Sequence, residues 1–211
     1  MDVRVFNRPF VGFGSLEDYV HQLKRTINDV HKDGDLTILA GHSMGGLISQ
    51  YAAEGDPRVS CVWLLASVPV PRFPLKGQIW WRLPRYLWWI LTGKPFALRQ
   101  SDSEALLLHH KQSPGAWKDF GPASGTATRQ MMFRQFFGRR PKLDCRVEMV
   151  CGTDDAIISQ SVQQAHAQYH GSNLRLIEGA GHMLCDSVWA KDIAKMIAAE
   201  LPPMPLSKAA E

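Results

Sequence analysis

Apolar residues recur along this chain in two rhythms, a 3.6-residue period and short, nearly unbroken β-branched runs. Leu16, Tyr19, Val20, Leu23, Ile27 and Val30 follow the first, tracing one face of a helix. Ser15 with Asp18 three residues on forms a capping box that starts this helix, and Asp33-Gly34-Asp35 ends it. On either side lie strand-like runs, Val3, Val5 and Phe6 before it and Leu36–Ala40 after it. Strand, helix and strand in succession make a crossover unit, which favours a parallel sheet.

The same alternation continues downstream. A helix-like stretch, Leu47–Glu54, leads to Val59–Val68, which is apolar throughout and reads as a strand buried on both faces. Cys145–Cys151 is the next strand, Ser159–Tyr169 a helix, Leu174–Ile177 a strand and Val188–Leu201 an amphipathic helix, with a frayed tail beyond. Between the two halves the pattern breaks. Residues 70–141 are rich in proline and hold five of the seven tryptophans, with helical pieces at Ile79–Thr92, Asp102–Lys111 and Thr126–Phe137. Residues 1–69 and 142–211 are therefore expected to form one α/β core, and 70–141 a helical insertion over it.

Composition narrows the function. With 211 residues, 45% hydrophobic and 21% charged, the chain suits one globular domain with an insertion. The net charge of +4 is spread out; Arg139-Arg140 with Lys142 is the densest cluster, too short for a nucleic-acid footprint. Cys61, Cys145, Cys151 and Cys185 lack CxxC spacing, and three sit in apolar surroundings, as reduced thiols of a cytoplasmic protein would. No apolar run reaches the roughly 18 residues of a membrane span. Gly12-Phe13-Gly14-Ser15 lacks the third glycine of a dinucleotide fingerprint, and no histidine or cysteine spacing suggests a metal.

The chemistry centres on LAGHSMGG, where a strand feeds Gly41-His42-Ser43-Met44-Gly45 and a helix follows. Strand, Gly-x-Ser-x-Gly and helix make a nucleophile elbow, whose sharp turn holds the serine hydroxyl clear of the backbone at φ > 0. Gly41 and Gly45 are expected to let neighbouring backbone pass close, and the Met44 N–H to face a developing oxyanion. A glycine-rich turn with a capping serine is the plainer alternative. A serine needs a base and a group to orient that base. His182, in GAGHM after a strand, shares a sheet rim with Ser43, whereas His42 is expected to point elsewhere. Asp154 and Asp155 end another strand on that rim, although they could simply cap the helix that follows.

GHSMGG, VCGTDDAII and EGAGHMLCD, in the order Ser, Asp, His, resemble the motifs of the α/β-hydrolase superfamily, of the lipase/esterase-like kind with a helical cap. The resemblance implies a mostly parallel sheet flanked by helices. It assigns Ser43 as nucleophile, His182 as base, Asp155 as the orienting acid with Asp154 as second choice, and Met44 as oxyanion donor. It implies hydrolysis of an apolar ester or related acyl substrate, without metal or cofactor; thioesterase, acyltransferase and C–C hydrolase chemistry use the same triad. Aspartate-dependent dehalogenases and epoxide hydrolases are disfavoured. In this superfamily a further strand, ending in a His-Gly loop with the second oxyanion donor, lies between the counterparts of Val3–Phe6 and Leu36–Ala40. The chain is thus expected to begin one strand late, as a piece of a complete enzyme or as a shortened, weakly active or inactive binding protein.

Gln78–Phe96 is the most aromatic stretch, with Trp80, Trp81, Trp88 and Trp89. Packing against the core is its leading reading, and lining an apolar substrate pocket is second. Contact with a membrane surface, prompted by Arg82, Arg85 and Lys94, ranks third. Oligomeric state leaves no mark on the sequence.

Overall fold

A computed structural model of the chain describes residues 13–69, 81–108, 115–133, 139–185 and 187–200. Within them, β1 (Thr37–His42), β2 (Val59–Leu65), β3 (Arg146–Gly152) and β4 (Leu174–Ile177) form one sheet in sequential order, every pairing parallel. Parallel neighbours need crossovers. Helix α1 (Leu16–Val30) precedes β1, α2 (Met44–Ala53) joins β1 to β2, and α7 (Ser187–Ala199) follows β4. The strand expected at Val3–Phe6 lies outside the described residues.

Alternation along β2 divides the core into two layers. Val62 and Leu64 face α1 and α2, against Leu16, Tyr19, Leu23, Ile27, Leu47 and Tyr51. Cys61, Trp63 and Leu65 face the other way, toward Ile193, Trp189 and Met196 of α7. Each such side chain stabilises the fold by about 1.5–3 kcal/mol when fully buried. α1 starts with the expected capping box: Ser15 Oγ accepts from Asp18 N, and the Asp18 carboxylate accepts from Ser15 N. Two boundaries of the core differ from the apolar pattern by three residues. α2 begins at Met44, three residues early, because Gly45 and Gly46 carry no side chain for that pattern to register. β2 stops at Leu65 and not Val68, because Ala66 takes a φ of +43° that breaks the ladder.

The segment between β2 and β3 is helical: a 3₁₀ turn (Leu83–Arg85), α3 (Leu87–Thr92), α4 (Gln100–Leu106), a second 3₁₀ turn (Ala116–Asp119) and α5 (Gly125–Phe133). The single helix expected over Ile79–Thr92 is interrupted because Pro84 has no N–H to donate. Tyr86 and Ile90, four residues apart, share one face and build a small core with Phe96. Leu87, Trp88, Trp89 and Leu91 are consequently turned outward. Buried Asp102 secures the segment, accepting hydrogen bonds from the Tyr86 hydroxyl at 2.5 Å and Arg85 Nη1 at 3.0 Å. At its base, Ser124 Oγ donates to Gly14 O and Leu16 N donates to Gln130 Oε1. The basic cluster is also engaged: Arg139 pairs with Glu54 at the end of α2, and Lys142 N donates to the same carboxylate.

A buried polar cluster fastens α6 (Gln160–Tyr169), the crossover from β3 to β4, to α2. Gln50 Oε1 accepts from His166 Nε2 at 3.2 Å and His170 Nε2 at 2.9 Å, while its amide donates to Gly46 O and Ser67 Oγ. One acceptor between two imidazoles requires both to carry the Nε2 proton. Burial, with the charges of His170 and Arg140, lowers the His166 pKa to about 3, and burial lowers that of His170 to about 4. The unfolded chain, near 6.5, binds protons that the native state refuses. Native stability therefore falls as pH drops from about 6.5 toward 3. Urea unfolding between pH 7 and 4.5 should show this slope flattened in His166→Gln and in His170→Gln, by up to about 1.4 kcal/mol per pH unit for each histidine removed.

Candidate active site

Ser43 sits at the junction of β1 and α2 with φ +52° and ψ −119°. A non-glycine residue pays about 1–3 kcal/mol for such a conformation and keeps it only where its surroundings enforce it. Here the enforcement comes from the end of β2. Ser43 N donates to Leu65 O at 2.9 Å, and Ser43 O accepts from Val68 N and Gly46 N, both at 3.0 Å. Ala66, itself at positive φ, donates to Val150 O at 2.8 Å, which ties this bend to β3. Of the glycines expected to give room, Gly41 does so: a Cβ there would lie 2.5 Å from Gly45 O. Gly45 does not, since its Cβ would meet open space; the tight position is Gly46, packed against Ser67. Met44 opens α2, so its N–H has no acceptor within the helix.

The strand ends bring the expected residues to one rim. His182, in the loop after β4, has Nε2 2.8 Å from Ser43 Oγ and Nδ1 2.8 Å from Asp155 Oδ2. Asp155 Oδ1 accepts from Ile157 N at 2.7 Å and Ile158 N at 2.9 Å. Both Asp155 and His182 are 1% exposed, so Ser43 is the member of the row nearest solvent. Burial pushes the Asp155 carboxyl up, but the bond and charge of His182, with the two backbone N–H groups, outweigh it and hold the carboxyl below the usual range. A carboxylate on Nδ1 leaves Nε2 free to accept the serine proton. Asp154 is exposed, and its carboxylate accepts from Thr153 Oγ1 at 3.2 Å.

The loops bearing Asp155 and His182 are stitched together. Thr153 N donates to Ile177 O, Asp154 N to Ala180 O and Gly179 N to Thr153 Oγ1. The insertion joins this assembly, because Met183 N donates to Leu107 O at 3.1 Å. His42, expected to point away, instead places Nε2 2.8 Å from His182 O, with the two rings 5.1 Å apart. Its neighbourhood to Ser43 was visible in sequence; its reach across the rim was not. Trp81, Trp88 and Trp89, expected first to pack against the core and second to line a pocket, face solvent instead, at 85%, 66% and 41% exposure. Trp80 lies outside the described residues. Among the described residues no three His, Cys, Asp or Glu side chains converge as a metal site, and no helix is long and apolar enough to cross a membrane.

A family model described as the alpha/beta hydrolase family matches residues 2–195. No protein of curated function matches the sequence. Among solved structures, a monoacylglycerol lipase of Paleococcus ferrophilus is similar at 21% identity and TM-score 0.59, over 89% of this chain and 75% of that one. A soluble variant of Saccharomyces cerevisiae monoglyceride lipase, in complex with a substrate analog, aligns at 15% identity and TM-score 0.61, over 89% and 70%. A thermophilic esterase of Thermogutta terrifontis aligns at 19% identity and TM-score 0.57, over 89% and 72%.

Gly152, where β3 runs into the Asp155 turn, tests how closely this rim is packed. A Cβ there would fall on the Ala180 carbonyl, which is backbone and cannot swing aside. Gly152→Ala should destabilise the protein by about 1–3 kcal/mol, seen as a lower unfolding midpoint in urea at unchanged m-value.

Proposed function

The chain belongs to the alpha/beta hydrolase family, and on that premise we propose that it is a serine hydrolase of carboxylic esters or related acyl bonds. One observation carries the reading: the unbroken row from Asp155 through His182 to Ser43, with 2.8 Å at each step. Ser43 Oγ attacks the acyl carbonyl as His182 Nε2 takes its proton. Asp155 holds the imidazole in the required tautomer and stabilises the imidazolium. The oxyanion of the tetrahedral intermediate is stabilised by the Met44 N–H at the start of α2. His182 then returns the proton to the leaving oxygen, giving an acyl-enzyme. In the second half a water loses its proton to His182 and attacks the same carbon, releasing the acid and restoring Ser43.

In this reading residues 1–69 and 142–211 form the catalytic core and residues 70–141 a cap. Support for the cap comes from the Leu107 carbonyl, which meets the backbone beside His182. Likeness to lipases and an esterase supports a small, apolar ester as substrate. The exposed tryptophans are given no part in binding it.

A fluorophosphonate probe should label the purified, folded protein at Ser43, and Ser43→Ala should abolish both labelling and ester hydrolysis; a folded wild-type protein that resists the probe would sink the proposal. Asp155→Asn should lower kcat by about 10⁴-fold, because the amide favours the wrong tautomer of His182. Steady-state rates with p-nitrophenyl butyrate measure it.

A further inference from the structure

We infer that His42 is a positioning residue that ties the backbone of His182 to the strand carrying Ser43 and so keeps base and nucleophile in register. The inference rests on the serine hydrolase reading and adds to it a residue outside the triad. His42 is the last residue of β1, and its backbone is paired with Leu65 across the ladder. Its side chain is therefore anchored to the same rigid peptide that presents the nucleophile one residue later. From there Nε2 reaches His182 O at 2.8 Å. A carbonyl oxygen only accepts, so Nε2 carries the proton and donates it. Burial, reinforced by the neighbouring His182 charge, lowers the His42 pKa to about 4 against the opposing effects of that hydrogen bond and of Asp155. His42 is thus a neutral donor throughout the neutral range.

The other bonds to this stretch show why the contact matters. His182 O also accepts from Leu184 N at 2.9 Å, but Leu184 lies in the same turn and moves with it. Met183 N donates to Leu107 O of the insertion, which holds the loop to the cap and not to the elbow. The His42 bond joins the His182 backbone directly to the strand bearing Ser43. The Ser43–His182 bond itself must break and re-form in every turnover as the proton moves, so it cannot serve as the lasting link. A 1 Å displacement of a reacting group costs about 10²-fold in rate.

Three variants of the full chain test this. His42→Gln places an amide N–H near the position of Nε2, whereas His42→Asn is too short to reach the carbonyl and His42→Leu has no donor. With p-nitrophenyl butyrate, the Asn and Leu variants should lose about 10–100-fold in kcat with KM nearly unchanged, and Gln should recover most of that loss. Unfolding midpoints identify any variant whose loss comes from the fold, and the polar Asn variant covers the case in which Leu fails to fold. A second readout does not depend on turnover: the low-field proton resonance of His182 Nδ1–H bonded to Asp155 should broaden in Asn and Leu and sharpen again in Gln. Turnover and resonance that are both insensitive to all three substitutions would overturn the inference. A wild-type protein that shows the resonance and its response to the variants, yet neither labels with fluorophosphonate nor hydrolyses esters, would overturn the hydrolase reading and leave the positioning role of His42 supported.

Discussion

The conformation of Ser43 is the constraint on which the rim depends. At the end of the β1 ladder its N–H and C=O both need partners, and an unmade buried hydrogen bond costs about 1–3 kcal/mol. Leu65 O and Val68 N supply those partners. They can do so only because β2 ends at Leu65 and Ala66 turns the chain back toward the elbow. Ala66 in turn leans on Val150 of β3. One strained residue thus requires a second, and the pair is held in place by three strands.

The layers behind the rim serve the same end in different ways. Apolar packing on both faces of β2 makes the sheet a stiff platform, and the neutral cluster of Gln50, His166 and His170 fastens α2 to α6. Gly46 lets α2 approach Ser67, and the amide of Gln50 closes the same gap with hydrogen bonds. The insertion is built on its own small core and on Asp102, and it meets the rim at the Leu107 carbonyl.

Much of this was readable from residue order. The capping box at Ser15 and Asp18, the doubly buried run in β2 and the strand-end positions of Ser43, Asp155 and His182 depend on local chemistry and on periodicity, which a sequence displays directly. What escaped depends on partners distant in the chain. Gly45 and Gly46 look equivalent until Ser67, brought in by β2, makes only one of them tight. His42 looks turned away until the loop after β4 arrives above it. The tryptophans of α3 were expected inside because they are apolar, but a helix of six residues buries only the face it shares with Tyr86, and Ile90 takes it.

The long insertion between β2 and β3 also bears on how the protein assembles. About eighty residues separate the two strands, yet they pair side by side. Closing such a loop costs only about 0.6 kcal/mol more for each doubling of its length, so the native sheet tolerates the insertion thermodynamically. The kinetic burden is greater, since pairings between distant segments slow folding. Ser43 lies before the insertion, and Asp155 and His182 lie after it. The three can therefore meet only once the two halves of the chain have found each other.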